Sequence, residues 1–289
     1  MVNKIFGGIR MTWKTLILFA VISGVITGII AQWVPEGNSF RQIAVTFEAW
    51  IVLAIVIVVN CERPLEAACK TFVYFLISQP LVYLVQVPFN SLGFGLFSYY
   101  YPYWFYWTLA TFPGAFIAWY IKRDDLLSAL ILSVALGALI LIGCNYLRIT
   151  ISDFPRYLVA TLFCFGMVPV LIIAILKKKQ TRIVATVLAS LTLAFGLFWF
   201  AFRAEPFRVG FGLETEKYPV TEGWTAELED PENGKVTLTP PYDVFSPHLD
   251  VEIKDLNKPT GIILKDPEGN PYLVPLKITK DGGTISVTY

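Results

Sequence analysis

Residues 183–213 read IVATVLASLTLAFGLFWFAFRAEPFRVGFGL, and the chain changes character inside them. From Ile183 to Phe202 no residue is charged. A bilayer core of ~30 Å takes ~20 apolar residues in helical form, so this run predicts a membrane span. Beyond it come Arg203, Glu205 and Pro206, then apolar residues at 207, 209, 211 and 213. That period of two belongs to a half-buried strand.

Working backwards, the same length of apolar chain recurs near Thr15 to Trp33, Ile43 to Asn60, Ala67 to Val87, Trp104 to Ile121, Leu126 to Tyr146 and Phe154 to Leu176. With Ile183 to Phe202 these predict a polytopic bundle of about seven transmembrane helices over residues 1–202. The composition agrees: 55% of residues are hydrophobic and 16% charged, where a soluble domain carries ~25% charged residues. A soluble enzyme is excluded.

Working forwards, strands are expected at Arg208 to Leu213, Trp224 to Glu229, Lys235 to Thr239, Leu249 to Asp255, Gly261 to Lys265, Pro271 to Ile278 and Thr284 to Tyr289. Turn residues lie between them, and Pro231 to Gly234, Asp266 to Asn270 and Asp281 to Gly283 read as hairpin connections. Residues 203–289 are therefore expected to form a small all-β, sandwich- or barrel-like domain.

Charge divides along the same boundary. Residues 1–202 hold 14 Lys and Arg against 7 Asp and Glu; residues 203–289 hold 9 against 15. An acidic tail argues against nucleic acid as a partner. Lys4, Arg10, Lys14, Arg63, Lys70, Lys122, Arg123, Lys177, Lys178, Lys179 and Arg182 all fall on one side of the predicted spans. Positive loops stay in the cytoplasm, so the N-terminus is expected there and the C-terminal domain on the other face. The first run is too long for the apolar region of a signal peptide, and no A-x-A site follows, so it reads as a retained span.

The inventory of chemical groups is poor. His248 is the single histidine, and Cys61, Cys69, Cys144 and Cys164 all lie in the helical half. HExxH zinc chemistry, a P-loop and a G-x-S-x-G nucleophile are absent,. Cys61 and Cys69 lack metal-ligand spacing. Asp243, Asp250, Glu252 and Asp255 match no EF-hand. No cofactor and no metal is expected. A tail without cysteines suits a bacterial surface better than a eukaryotic secretory route.

Polar residues inside spans are costly and mark candidate sites. Glu48 falls in the second span. Gln79, Tyr83, Gln86 and Asn90 follow spacings of four, three and four, one face of the third span, with Pro80 beside them,. Asn145 and Arg148 end the fifth span; Asp153, a candidate N-cap, and Arg156 begin the sixth. These nine residues predict an outward-facing polar pocket with Glu48 paired to Arg148 or Arg156, or else a hydrogen-bond network that merely holds helices together. On the cytoplasmic side Glu62, Glu66 and Lys70 share a helical face in NCERPLEAACK, with Pro64 suited to a first turn. That cluster reads as a helix start, with a proton path or docking site as the sharper alternative.

Two further patterns carry expectations. Ala20, Gly24 and Gly28, and again Ala129, Ser133 and Gly137, recur every fourth residue and let helices approach closely. The stretch PFNSLGFGLFSYYYPYWFYW, residues 88–107, reads as an interfacial aromatic anchor, or as a stacking platform for a sugar or an aromatic lipid-linked substrate,.

The expected function is a non-enzymatic cell-envelope protein of a bacterial plasma membrane. Its bundle anchors an extracytoplasmic β domain that binds an envelope protein, a glycan or a lipid-linked ligand. A permease or flippase-like carrier is the first alternative, resting on Glu48, the polar stripe and Pro80, Pro113 and Pro169. A membrane-embedded transferase on a lipid-linked substrate is the second.

Overall fold

The structure is a computed structural model that describes residues 5–152, 154–202, 207–214, 217–241, 246–255, 258, 260–281 and 284–288. The chain divides into two units, Met1–Ala201 and Phe202–Tyr289.

The first unit is helical. Its elements are α1 Trp13–Trp33, α2 Ser39–Val45, α3 Phe47–Val59, α4 Pro64–Leu84, α5 Phe94–Ala118, α6 Leu126–Ser152, α7 Leu158–Ile175 and α8 Lys179–Phe202. Among the described residues five helices, α1, α4, α6, α7 and α8, are long and apolar enough to cross a membrane. The count becomes six if α2 and α3, bent by 50° at their junction, form one span. Against the seven expected, α5 is the helix left out. It is 25 residues long, but its tyrosines, tryptophans and two prolines dilute its apolarity.

Several boundaries differ from the sequence reading, each for a local reason. α5 begins at Phe94, ten residues before the expected Trp104, so most of the aromatic stretch is helix rather than loop. Rings four apart on a helix meet: Phe97 stacks on Tyr101 with centroids 4.7 Å apart, and Tyr103 meets Trp107 edge-on,. α6 runs on to Ser152, so Asn145 and Arg148 lie within it and do not end it. α7 starts at Leu158 with Tyr157, not Asp153, at its N-cap; Asp153 itself lies outside the described residues.

The small-residue stripe of α1 does what its spacing predicts, inside one chain. A Cβ on Gly24 would come within 2.6 Å of the Ser78 carbonyl oxygen, and one on Gly28 within 2.8 Å of the Val82 oxygen. α1 and α4 therefore touch backbone to backbone, where any side chain would force them apart. Around this contact the core gathers Leu16, Ala20, Trp50, Ile57, Tyr74 and Leu136.

The second unit contains antiparallel strands β1 Phe207–Gly212, β2 Thr225–Leu228, β3 Gly234–Thr239, β4 His248–Ile253, β5 Thr260–Lys265, β6 Pro271–Asp281 and β7 Thr284–Thr288. They form two small sheets, ordered β1-β4-β3 and β2-β5-β6-β7. Alternate residues of β4, Leu249, Val251 and Ile253, join Leu228, Ile262 and Val274 of the other sheet in one apolar cluster,. The connection Pro231–Gly234 is not the expected hairpin. β2 and β3 pair with β5 and β4 respectively, so the chain passes from one sheet to the other there. Gly234 permits the crossing, since a Cβ would overlap the Glu252 carbonyl of β4. The turn at Asp266 does join a hairpin, β5 to β6, and its carboxylate collects the N–H groups of Glu268 and Asn270 at 3.0 and 2.8 Å.

Candidate functional site

The site builds from the break in the second span. Thr46 adopts an extended conformation between α2 and α3, and its hydroxyl turns back to the Gln42 carbonyl at 2.7 Å. That bond closes the end of α2, and Glu48 enters in the first turn of α3,. Its carboxylate is 0% exposed. The single Thr46 hydroxyl proton is shared between the Gln42 carbonyl and Glu48 Oε2, and Tyr146 OH of α6 donates to Oε1 at 2.8 Å,. Gln42 hydrogen-bonds Tyr146 in turn, and Tyr157 packs its ring on Tyr146 at 5.3 Å. A buried carboxylate needs such donors to offset its lost hydration.

The partners described for Glu48 are thus hydroxyls rather than guanidinium groups. Arg148 lies over the ring of Phe200 at 6.0 Å, and Arg156 over Tyr157 at 5.2 Å. Both are cation–π contacts within the usual ~6 Å. Arg156 also approaches Gly37, 3.3 Å from where a Cβ would stand, which brings the α1–α2 turn to the same end of the bundle.

The four residues of the α4 stripe have different surroundings. Gln79 is 3% exposed, and its Nε2 has no hydrogen-bond partner among the described residues. Tyr83 stacks on Tyr100 of α5 with rings 3° from parallel and hydrogen-bonds Trp104. Gln86 lies past the end of α4 and donates to the Val82 carbonyl at 2.7 Å. Asn90 follows a 3-10 turn and caps Leu92 N–H at 3.0 Å. Helical backbone continues through Gln86, and only Asn90, beyond the 3-10 turn Val87–Phe89, leaves the spacing. Asn145 is half-buried within α6.

At the opposite end of the bundle the NCERPLEAACK cluster is a helix start. Glu66 Oε2 accepts from the N–H groups of Glu62 and Arg63 at 2.9 and 3.4 Å, with Pro64 at the first helical position,. Lys70, 5% exposed, pairs with Glu66 and donates to the Met11 carbonyl, fixing the approach to α1. Lys122 and the Trp119 indole both donate to the Cys61 carbonyl. Asp124 accepts from Thr181 Oγ1 at 2.7 Å and from the Lys178 N–H at 2.8 Å. Partial burial acts to raise the Asp124 carboxyl, but these bonds outweigh it and hold it below the usual carboxylate range. The basic loops therefore do converge at one end.

A groove of about 520 Å³ lies between α6, α7 and α8, walled by aliphatic and aromatic residues with Thr186 and Ser190 among them. In the second unit Asp250 faces His248 at 3.6 Å and Glu252 pairs with Arg208 at 2.8 Å, both on the solvated side of β4. Asp243 lies outside the described residues. No family model matches the chain, and no curated protein or solved structure does either.

Sequence reasoning found Glu48 and missed its cage. Thr46 was within reach: a Thr two residues ahead of a Glu inside an apolar run is a helix restart. Tyr146, 98 positions away, left no signal at all.

Proposed function

We propose that the chain is a non-enzymatic integral membrane protein of a bacterial envelope, in which α5 supplies a seventh span and the bundle anchors an extracytoplasmic β-sandwich. The sandwich binds an envelope protein, a glycan or a lipid-linked ligand. The observation that carries this reading is the closure of the Glu48 cluster. A carboxylate with no exposed surface, held by Thr46 and Tyr146, ties α3 to α6 and supports a structural role for this cluster. The gathering of Lys70, Lys122 and Lys178 at one end supports a cytoplasmic N-terminus,. The shared apolar cluster of the two sheets supports a sandwich,.

A photoreactive group placed at exposed positions of the β unit tests the reading in intact cells. Crosslinked envelope material is expected to persist in Glu48→Gln and to vanish when residues 203–289 are deleted. Loss of it in a Glu48→Gln protein that still folds would sink the anchor reading.

The carrier reading retains one specific observation, the 50° break directly before Glu48. Broken helices with a polar group at the break recur in transporters. Solute uptake into vesicles containing the purified protein, abolished by Glu48→Gln, would favour it.

A further inference from the structure

The groove between α6, α7 and α8 is built by sequence spacing. Thr186, Ala189, Ser190 and Leu193 of α8 stand at i, i+3, i+4 and i+7, and all four line it,. The first three are short. Opposite them Phe165, Pro169 and Ile173 of α7 repeat the four-residue step along one face. Short side chains on one wall and a row of bulky ones on the other leave a trough instead of a packed seam. Thr186 and Ser190 are exposed along it, as are Val187 and Leu191 beside it.

Its length and its end are informative. From Thr186 to Leu197 the α8 wall runs about 16 Å at 1.5 Å per residue, close to the ~15 Å of one leaflet of a ~30 Å core. At the Thr186 end stands Arg182, whose Nε and Nη2 donate to the Leu176 and Ile173 carbonyls at 2.6 and 3.2 Å. Ile173 itself lines the groove, so the guanidinium sits at its mouth. Lys177, Lys178 and Lys179 are exposed in the same turn, and Asp124 is the carboxylate bonded to it. Among the described residues this turn carries four cations with Asp124 bonded to it, and the neighbouring Asp125 is paired with Arg123, so the mouth is positive while the trough is mostly apolar.

We propose that this groove holds one acyl chain of an anionic glycerophospholipid, with its phosphate held at the mouth by Arg182, Lys178 and Lys179. The division of chemistry matches the ligand: hydrocarbon along a leaflet's length, then a concentrated positive charge at headgroup level. This inference needs only that the bundle lies in a bilayer. It stands whether the protein anchors, carries or does neither.

The test is native mass spectrometry of the full-length protein, delipidated in neutral detergent and then offered dioleoyl phosphatidylglycerol or dioleoyl phosphatidylcholine. One phosphatidylglycerol is expected to be retained in preference to phosphatidylcholine, and the double variant Lys178→Gln, Lys179→Gln weakens that retention by about tenfold or more. Ser190→Trp fills the trough from an exposed position, and it is expected to displace the lipid while the melting temperature in lipid-free detergent stays at the parent's. Should Ser190→Trp fold poorly, Thr186→Leu makes the same test. Equal retention of the two lipids overturns the proposal. So does an unchanged phosphatidylglycerol preference in the filled-groove variant, which would mean adsorption by surface charge alone.

Discussion

The two ends of the helical bundle solve the same problem with opposite means. At one end a single carboxylate, Glu48, is withdrawn from solvent and met by the hydroxyls of Thr46 and Tyr146. At the other, cations reach main-chain carbonyls close to helix ends: Lys70 to Met11, Lys122 to Cys61, Arg182 to Leu176. A helix C-terminus leaves its last carbonyls unsatisfied, so an exposed cation placed there, such as Lys122, does structural work while its charge stays near water,. A buried carboxylate has no such outlet. It depends wholly on its donors, and losing one is correspondingly more costly.

That contrast orders the effects of mutation. Glu48→Ala is expected to cost the most, about 3 kcal/mol, because it opens a cavity and strands two hydroxyls. Tyr146→Phe removes one donor and is expected to cost about 2 kcal/mol. Both are read as lowered melting temperature of the purified protein in detergent. Lys122→Met keeps the aliphatic stem and loses the bond to the Cys61 carbonyl, for an expected loss of about 1 kcal/mol,. If Lys122→Met proved as damaging as Glu48→Ala, the contrast between a sealed and a wetted end would fail.

The smallest effect sharpens the comparison through pH. Asp124 is partly exposed, and its carboxyl is held below its ordinary 3.8 by Thr181 and the Lys178 and Lys177 amides. A lowered folded value means that its stabilisation is complete above 3.8 and disappears as pH falls through the folded value,. Asp124→Asn is therefore expected to change melting temperature little below that window and to lower it slightly above it. Melting curves that diverge toward acid would contradict the assignment.

What the sequence disclosed follows from how local each signal is. The seven strands appear within a few residues of expectation, because alternation along β4 or β5 is written in neighbouring residues. Their partners are not. Pro231 to Gly234 looks like a hairpin by composition, and only the pairing of β2 with β5 and β3 with β4 reveals a passage between sheets. In the bundle, Gly24 and Gly28 announced close packing, whereas the choice of α4 as the neighbour was illegible. The start of α5 was hidden because tyrosine and tryptophan read as interface, although Phe97, Tyr101 and Phe105 already carried helical spacing. Glu48 stood out as a charge in an apolar run. Its partner on α6 depends on tertiary structure alone.

We propose that the bundle lies in a membrane with its N-terminus cytoplasmic and the β unit extracytoplasmic. Protease added to intact cells tests this most directly. Residues beyond Phe202 are expected to be removed while the helical unit stays in the membrane fraction with its Lys177–Lys179 turn uncut. A β unit that survives outside but is digested once the cells are opened would contradict it.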